Sequence, residues 1–166
     1  MTNDVHLPTT PDGFTEEFAL FNPVFLGYMI NRAAYGWGKV HEPGMPVALT
    51  YLVLPVVLHG PTRRALPSTT RSNLLVWMQE HPAHVSAFPA HAVSLSARVS
   101  EALIVATSAG LVVAQDGLLR RGRARRMPDG MSEEVRDCFA KAEWVARWFA
   151  QTSPASTLFT YWGVKP

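Results

Sequence analysis

Apolar residues along this chain recur mostly at intervals of three and four, the spacing that gathers them on one face of an α-helix. A first helix is predicted from Pro23, with Asn22 as its N-cap and proline at the first helical position, where a missing amide donor costs nothing. Val24, Phe25, Tyr28, Met29, Arg32 and Tyr35 continue it until the glycines of YGWGKVHEPG dissolve the pattern. A second helix is expected from about Pro46 to His59: VALTYLVLPVVLH is apolar nearly all round and belongs in the interior, and Pro55 should kink it. GPTRRALPSTT is turn chemistry, after which Thr70 or Ser68 caps a third helix with Leu74, Leu75, Trp77 and Met78 on its core face. His81-Pro82 ends it. The pattern then predicts a short helix from Pro82 to Ser94, followed by a separate one in SARVSEALIVATSAG, with Val99, Leu103, Ile104 and Ala106 at helical spacing and Gly110 as its stop.

The periodicity then changes. LVVA and LLRR flank Gln115-Asp116-Gly117, and Asp-Gly between short apolar runs predicts a two-residue hairpin turn. Ser132, followed by Glu133 and Glu134, is an N-cap with acidic residues over the positive end of a helix dipole. Val135, Cys138, Phe139, Ala142, Val145, Ala146 and Phe149 then form the cleanest amphipathic stripe in the chain. Ser153-Pro154 caps a last short helix through Tyr161. Residues 1–13, with Pro8, Pro11, Asp12 and Gly13, lack periodicity and read as a flexible lead-in to one domain over 14–166. The expected fold is mainly α with one short β-hairpin: a compact, winged-helix-like domain with an additional C-terminal helix pair. SARVSEALIVATSAG takes the place of the recognition helix and Leu111 to Arg121 forms the wing.

Composition changes this picture in one respect. The 166 residues are 48% hydrophobic, enough for a sizeable core, and the formal net charge is only +2. Five of the twelve arginines nevertheless fall between Arg120 and Arg126, and without them the net charge would be −3. Basicity is therefore local, and a patch rather than the whole molecule invites a partner. The single Cys138 excludes an intramolecular disulfide, and MTNDVHLPTT has neither the basic nor the apolar region of a secretory signal, so a cytoplasmic location is expected. Met45 to Leu58, the longest nearly uncharged segment, has 14 residues and two prolines, where a membrane span takes roughly 20 apolar residues. No membrane partner is expected.

Candidate chemistry is sparse. His81, His84 and His91 lie among prolines and alanines without neighbouring cysteine or acidic ligands, and no zinc spacing, phosphate loop, dinucleotide fingerprint or nucleophile elbow occurs. Cys138 falls on a buried stripe, where cysteine behaves as a small hydrophobe. The residues therefore predict no metal, no cofactor and no enzyme. His59 ends an apolar helix, where it can cap the last carbonyls or serve an interface. Arg63, Arg64 and Arg71 form a second, smaller basic cluster. Three readings are open for Arg120, Arg121, Arg123, Arg125 and Arg126: a grip on phosphates, a pairing with an acidic partner, or a solvated loop. All five are arginine rather than lysine, which suits bidentate contact with phosphate or carboxylate. Trp144, Trp148 and Trp162 are candidates for an interface, since aromatic residues are enriched there; for Trp144 and Trp148, four apart, a wide core face is the alternative.

LVLPVVLHGPTRRALPSTTRSNLLVWMQEHP (Leu52 to Pro82), the early Phe21-Asn22-Pro23, the GLLRRG turn and the terminal WGVKP together resemble the middle-component family of bacterial three-component ABC-ATPase systems. The resemblance covers nearly the whole chain from Phe14, and its most specific parts are LPVVLHGPTRRALP and WGVKP. It implies a small non-enzymatic adaptor that couples an ABC ATPase, related to chromosome-maintenance ATPases, to an effector subunit in defence against phages or other invading DNA. The partners it implies are those two subunits, with a homodimer inside the complex and sequence-independent DNA contact through the arginine-rich loop as further expectations. The alternative is a stand-alone winged-helix DNA-binding regulator.

Overall fold

The computed structural model describes residues 22–123, 130–152 and 154–165. The lead-in at 1–13, the start near Phe14, Arg125, Arg126 and Ser153 lie outside the described residues. Within them the chain runs α1 (Pro23–Gly38), β1 (Met45–Pro46), a 3₁₀ turn (Val47–Leu49), α2 (Thr50–Leu58), α3 (Gly60–Ala65), α4 (Leu74–Glu80), α5 (Pro82–Ser108), β2 (Val112–Gln115), β3 (Leu118–Arg121), α6 (Glu133–Thr152) and α7 (Ala155–Tyr161). The fold is mainly helical with a small three-stranded antiparallel sheet.

Several starts and stops follow the local chemistry. Asn22 Oδ1 accepts from the Val24 amide at 2.8 Å, and Ser132 Oγ accepts from that of Val135 at 3.3 Å, each satisfying a donor that the first helical turn leaves open. Pro55 lies inside α2. The expected third helix begins later than Thr70 or Ser68: Asn73 is the N-cap of α4, accepting from Leu75 at 2.9 Å and Val76 at 3.2 Å. Asn73 stands immediately before the first apolar periodic residue, Leu74, and its side-chain oxygen reaches two amides at once. Pro154, with no side-chain cap bond, holds the cap position of α7.

The largest departure is α5. The expected break near Ser94 is absent, and one helix of 27 residues runs from Pro82 to Ser108 with Pro89 inside it. The serines at and beyond the expected break turn back on their own helix: Ser94 donates to the His91 carbonyl at 2.7 Å, Ser96 to Val93 at 2.8 Å and Ser100 to Ser96 at 3.0 Å. A serine bonded backwards continues a helix rather than starting one. The helix closes at Gly110, where the Leu111 amide donates to Ala106 at 2.8 Å.

The hairpin forms at the expected turn. Asp116 and Gly117 have φ of 54° and 75°, the left-handed pair that a two-residue turn matched to strand twist requires. A third strand joins it: Met45 pairs with Leu119 and Pro46 with Leu118, giving the order β1-β3-β2. Two residues are too few to show any alternation, so β1 left no trace in the hydrophobic pattern. Pro46 lacks an amide donor and is tolerated because β1 is an edge.

The buried residues of α1, α2, α4, α5, α6, α7 and the sheet form one contiguous cluster. Helix α1 is its axis, packed most extensively on α6 and next on α5. Where α1 crosses α6, a Cβ on Gly36 would lie 2.1 Å from the Glu143 carbonyl oxygen. The two backbones touch, and no side chain fits between them. Gly36→Ala should therefore lower stability by about 1–3 kcal/mol, as overpacking does, even though alanine alone favours a helix by up to about 1 kcal/mol. The check is the urea midpoint at unchanged slope; an equal or higher midpoint would mean the helices separate without cost.

Candidate functional site

Side chains alternate across β3, and this divides its arginines. Leu119 is fully buried, and Arg121, two residues on, leaves the same face of the strand toward α1; Arg120 leaves the opposite face into solvent. Arg120 donates to Gln115 Oε1 at 2.7 Å, an uncharged partner on β2. Arg121 lies over the ring of Tyr35, its Cζ 4.2 Å from the centroid, and Lys39 Nζ approaches the same ring at 4.2 Å. Beyond the strand, the amides of Gly122 and Arg123 donate to Leu111 at 2.8 Å and Gly110 at 2.9 Å, which holds the exposed Arg123 at the rim. Between these groups is a cleft of about 290 Å³ lined by Tyr35, Lys39, Glu42, Gly44, Arg120 and Arg121.

The charge in this cleft is unevenly compensated. Glu143 on α6 takes both Arg32 and Lys39, the latter at 2.6 Å. Among the described residues no carboxylate pairs with Arg120, Arg121 or Arg123, and the buried Nε of Arg121 has no hydrogen-bond partner. A cation over an exposed aromatic face gains about 0.5–1 kcal/mol, less than the roughly 1.5–3 kcal/mol of a hydrogen bond to a charged group. The ring positions Arg121 without committing it.

The second basic cluster divides differently. Arg63 is 4% exposed. Its Nη2 donates to Glu134 at 2.7 Å, Nε to Asp137 at 2.9 Å and Nη1 to the Val57 carbonyl at 2.8 Å. The expected surface role does not suit a guanidinium so spent: Arg63 ties the α2–α3 elbow to the start of α6. Burial alone would lower its pKa; the Glu134 and Asp137 carboxylates beside it reverse the sign and hold the charge. Burial pushes the Cys138 thiol up to about 11 against the pull of Arg63, so it is neutral at pH 7 and not a thiolate. Arg64 and Arg71 are exposed. His59 caps α3, its Nδ1 accepting from the Thr62 amide at 3.4 Å, with Thr62 Oγ1 2.6 Å away.

Of the tryptophans, Trp148 and Trp162 are fully buried within the fold. Trp148 Nε1 donates to the Ser72 carbonyl at 2.7 Å, and Trp162 packs on Phe88 at 4.5 Å between ring centroids and on Trp77 at 6.1 Å. Trp144 is half-buried, 5.2 Å from Trp148. The wide core face is the arrangement observed for this pair, and Trp144 alone keeps an outward surface.

A family model described as ABC-three component (ABC-3C) system Middle Component 3 matches residues 13–166. The chain belongs to this family. No curated protein and no solved structure matches it.

The motifs that carried the resemblance have separate roles in this Middle Component 3 chain. LPVVLHGPTRRALP builds the elbow that buries Arg63, and Trp162 of WGVKP closes the core from the chain end. Tyr35, Lys39 and Glu143 were missed by sequence reasoning. No local pattern pairs position 35 with position 121; the pairing exists only because the hairpin folds back on α1. His84 and His91, which share a cleft with His59, were signalled by their spacing of seven on one helix, but the approach of His59 was not.

The adjacent arginines of the elbow should respond very differently to truncation. Arg63→Ala leaves the Val57 carbonyl unmet and Glu134 and Asp137 unpaired; because the two carboxylates are partly exposed and water can reach them, the loss should be about 1.5–3 kcal/mol, as for hydrogen bonds to a charged group. Arg64→Ala should stay within about 0.5 kcal/mol. Urea unfolding of the two variants side by side tests the assignment, and equal losses would refute it.

Proposed function

We propose that this Middle Component 3 protein is the non-enzymatic adaptor of its system, coupling an ABC ATPase to an effector subunit in antiviral defence and gripping DNA backbone through the hairpin edge. The observation that carries the DNA contact is the set of guanidinium groups at Arg120, Arg121 and Arg123 that have no carboxylate partner among the described residues, with Arg121 held over Tyr35. Phosphate contacts position a protein without reading sequence, which is what a component that must meet any invading DNA needs. Arg125 and Arg126 follow in sequence and extend the same run.

The element order supports a winged-helix reading: helix, strand, helices, then a hairpin whose last strand pairs with the first, in the order β1-β3-β2. On that reading β2 and β3 are the wing and α5 stands where a recognition helix stands. The exposed surface of α5 argues against a sequence-reading regulator, because its long outward residues are Val93 and Ile104 alongside only Arg98 and Glu101, too few groups able to bond base edges. The neutral Cys138 and the absence of the common nucleophile and phosphate-loop motifs support a non-enzymatic role. The partners on this reading are the ATPase and effector subunits, DNA, and a second copy of the chain inside the complex.

Changing Arg120, Arg121, Arg123, Arg125 and Arg126 to glutamine tests the proposal. Affinity for unrelated duplexes should fall about equally, and the slope of log affinity against log salt should flatten by up to roughly 0.9 per lost phosphate contact. Slower association with the ATPase subunit, with DNA binding by the assembled complex unchanged, would assign the arginines to a protein partner and overturn the DNA contact. ATP hydrolysis by the purified chain that a point substitution abolishes would overturn the adaptor role.

A further inference from the structure

The α2–α3 elbow and α5 enclose a second cleft, of about 250 Å³, lined by His59, Thr62, His84, Ala87, Phe88 and His91. Three imidazoles converge there: the His59 ring lies 5.1 Å from that of His91 and 6.2 Å from that of His84. Thr62 Oγ1 links two of them, at 2.6 Å from His59 Nδ1 and 3.2 Å from His84 Nδ1. The cap bond needs an unprotonated Nδ1 on His59, so its ring proton is on Nε2. The Thr62 hydroxyl then donates to His59, and His84 Nδ1 donates to the hydroxyl oxygen. His91 Nε2 is buried with no hydrogen-bond partner among the described residues. A buried polar atom left unmet in a concave site marks a place where a ligand atom would be favoured.

The surroundings decide the sign of that ligand. No carboxylate lines the cleft, and among the described residues no group of three or more His, Cys, Asp or Glu is arranged to hold a metal ion. Arg64 lies on the elbow beside His59 and lowers its pKa together with burial, His91 and His84. His91 is lowered by burial. Arg63 is turned away onto Glu134 and Asp137, and His81, with its ring 6.0 Å from that of His84, donates from Nδ1 to the Trp77 carbonyl. Beneath Phe88, the residue that follows α7 is Trp162 rather than a charge. A cation would meet Arg64 and no anion; an oxyanion would meet imidazole donors.

We infer that this cleft is an oxyanion site, taking one phosphate or carboxylate group onto the imidazole nitrogens of His59, His84 and His91, with proton uptake by His91 while His59 keeps its Nδ1 for the cap of α3. The site is independent of the hairpin edge. Burial holds the pKa values of His59 and His91 below the ordinary 6.5, so these two imidazoles are neutral at pH 7; a bound anion favours the charged form of His91 and raises its pKa. Affinity then increases as pH falls, by up to about tenfold per pH unit for each proton taken up.

Histidine ring resonances followed by NMR from pH 8 to 5.5 test this, with inorganic phosphate against chloride at matched ionic strength. Phosphate should shift the ring resonances of His59, raise the titration midpoint of His91 and bind more tightly at pH 6 than at pH 7.5. Acetate and a glutamate-containing peptide form the second arm: a response to them but not to phosphate assigns the oxyanion to an acidic side chain of a partner, and the reverse assigns it to a free phosphate. His91→Gln removes a chargeable donor, and His59→Asn keeps a capping oxygen for α3, so both variants should fold and lose the response. Midpoints unmoved by every anion, a response that survives in both variants, or Zn²⁺ binding that anions do not affect would each overturn the site.

Discussion

A missing side chain at Gly36 sets the geometry of the whole hairpin edge. Because α1 and α6 meet backbone to backbone there, the Glu143 peptide lies against the helix and its carboxylate emerges between Arg32 and Lys39. The two cations lie seven residues apart, one helical face. Lys39, drawn back by Glu143, comes to rest on Tyr35, which Arg32 also approaches at 5.2 Å and over which Arg121 arrives from β3. One turn away, Asn31, which is buried, donates to the Leu111 carbonyl at 2.5 Å and fixes the start of the hairpin to the same helix. Close helix packing therefore positions a sheet edge that neither α1 nor α6 touches through strand pairing.

Arg63 provides a second constraint of a different kind. A buried guanidinium is costly to desolvate, and its attraction to Glu134 and Asp137 does little more than offset that cost, so hydrophobic residues of similar volume could match its stability. Its geometry is what such residues would not supply. Three directed hydrogen bonds join Val57 at the end of α2, the α3 turn and the first turns of α6, and thereby fix where the chain turns after the most apolar helix. The same turn presents His59 to α5. Glu134 and Asp137 also lie in the first two turns of α6, where acidic groups favour the helix dipole, so the ion pair and the helix start reinforce one another.

Much of the helical framework was legible because its signals are local. Asn22-Pro23, Ser132 with the two glutamates, and Asp116-Gly117 each carry their own reason for a start or a turn, and the stripe from Val135 to Phe149 reads directly as a buried face. The misreadings share a cause. Ser94 and Ser68 were taken as punctuation, although a serine caps or continues a helix according to which carbonyl or amide its hydroxyl finds. The two-residue β1 could not show a period. For the site the limit was stricter: exposed and buried arginines look alike in sequence, so Arg63 and Arg64 read as one cluster, and Tyr35 acquires its meaning only from strands that arrive some eighty residues later.

The sorting of arginines also explains why net charge is a poor guide to this protein. Glu143 on α6 holds both Arg32 and Lys39, while Arg63 meets two carboxylates of the same helix, so the excess positive charge of one group and the excess negative charge of the other cancel over the fold. The small net charge thus conceals a cationic edge built from Arg120, Arg121 and Arg123, whose companions are an amide, an aromatic ring and solvent. Such groups are pre-positioned yet only weakly bound. Because α6 supplies the carboxylates that meet Arg32, Lys39 and Arg63, the helix that stabilises the fold takes up these cations and leaves the guanidinium groups of β3 without a salt bridge among the described residues. The separation of matched from unmatched arginines is in this sense a property of the packing, and substitutions at the two kinds of position report on different things: fold stability in the interior, and association at the edge.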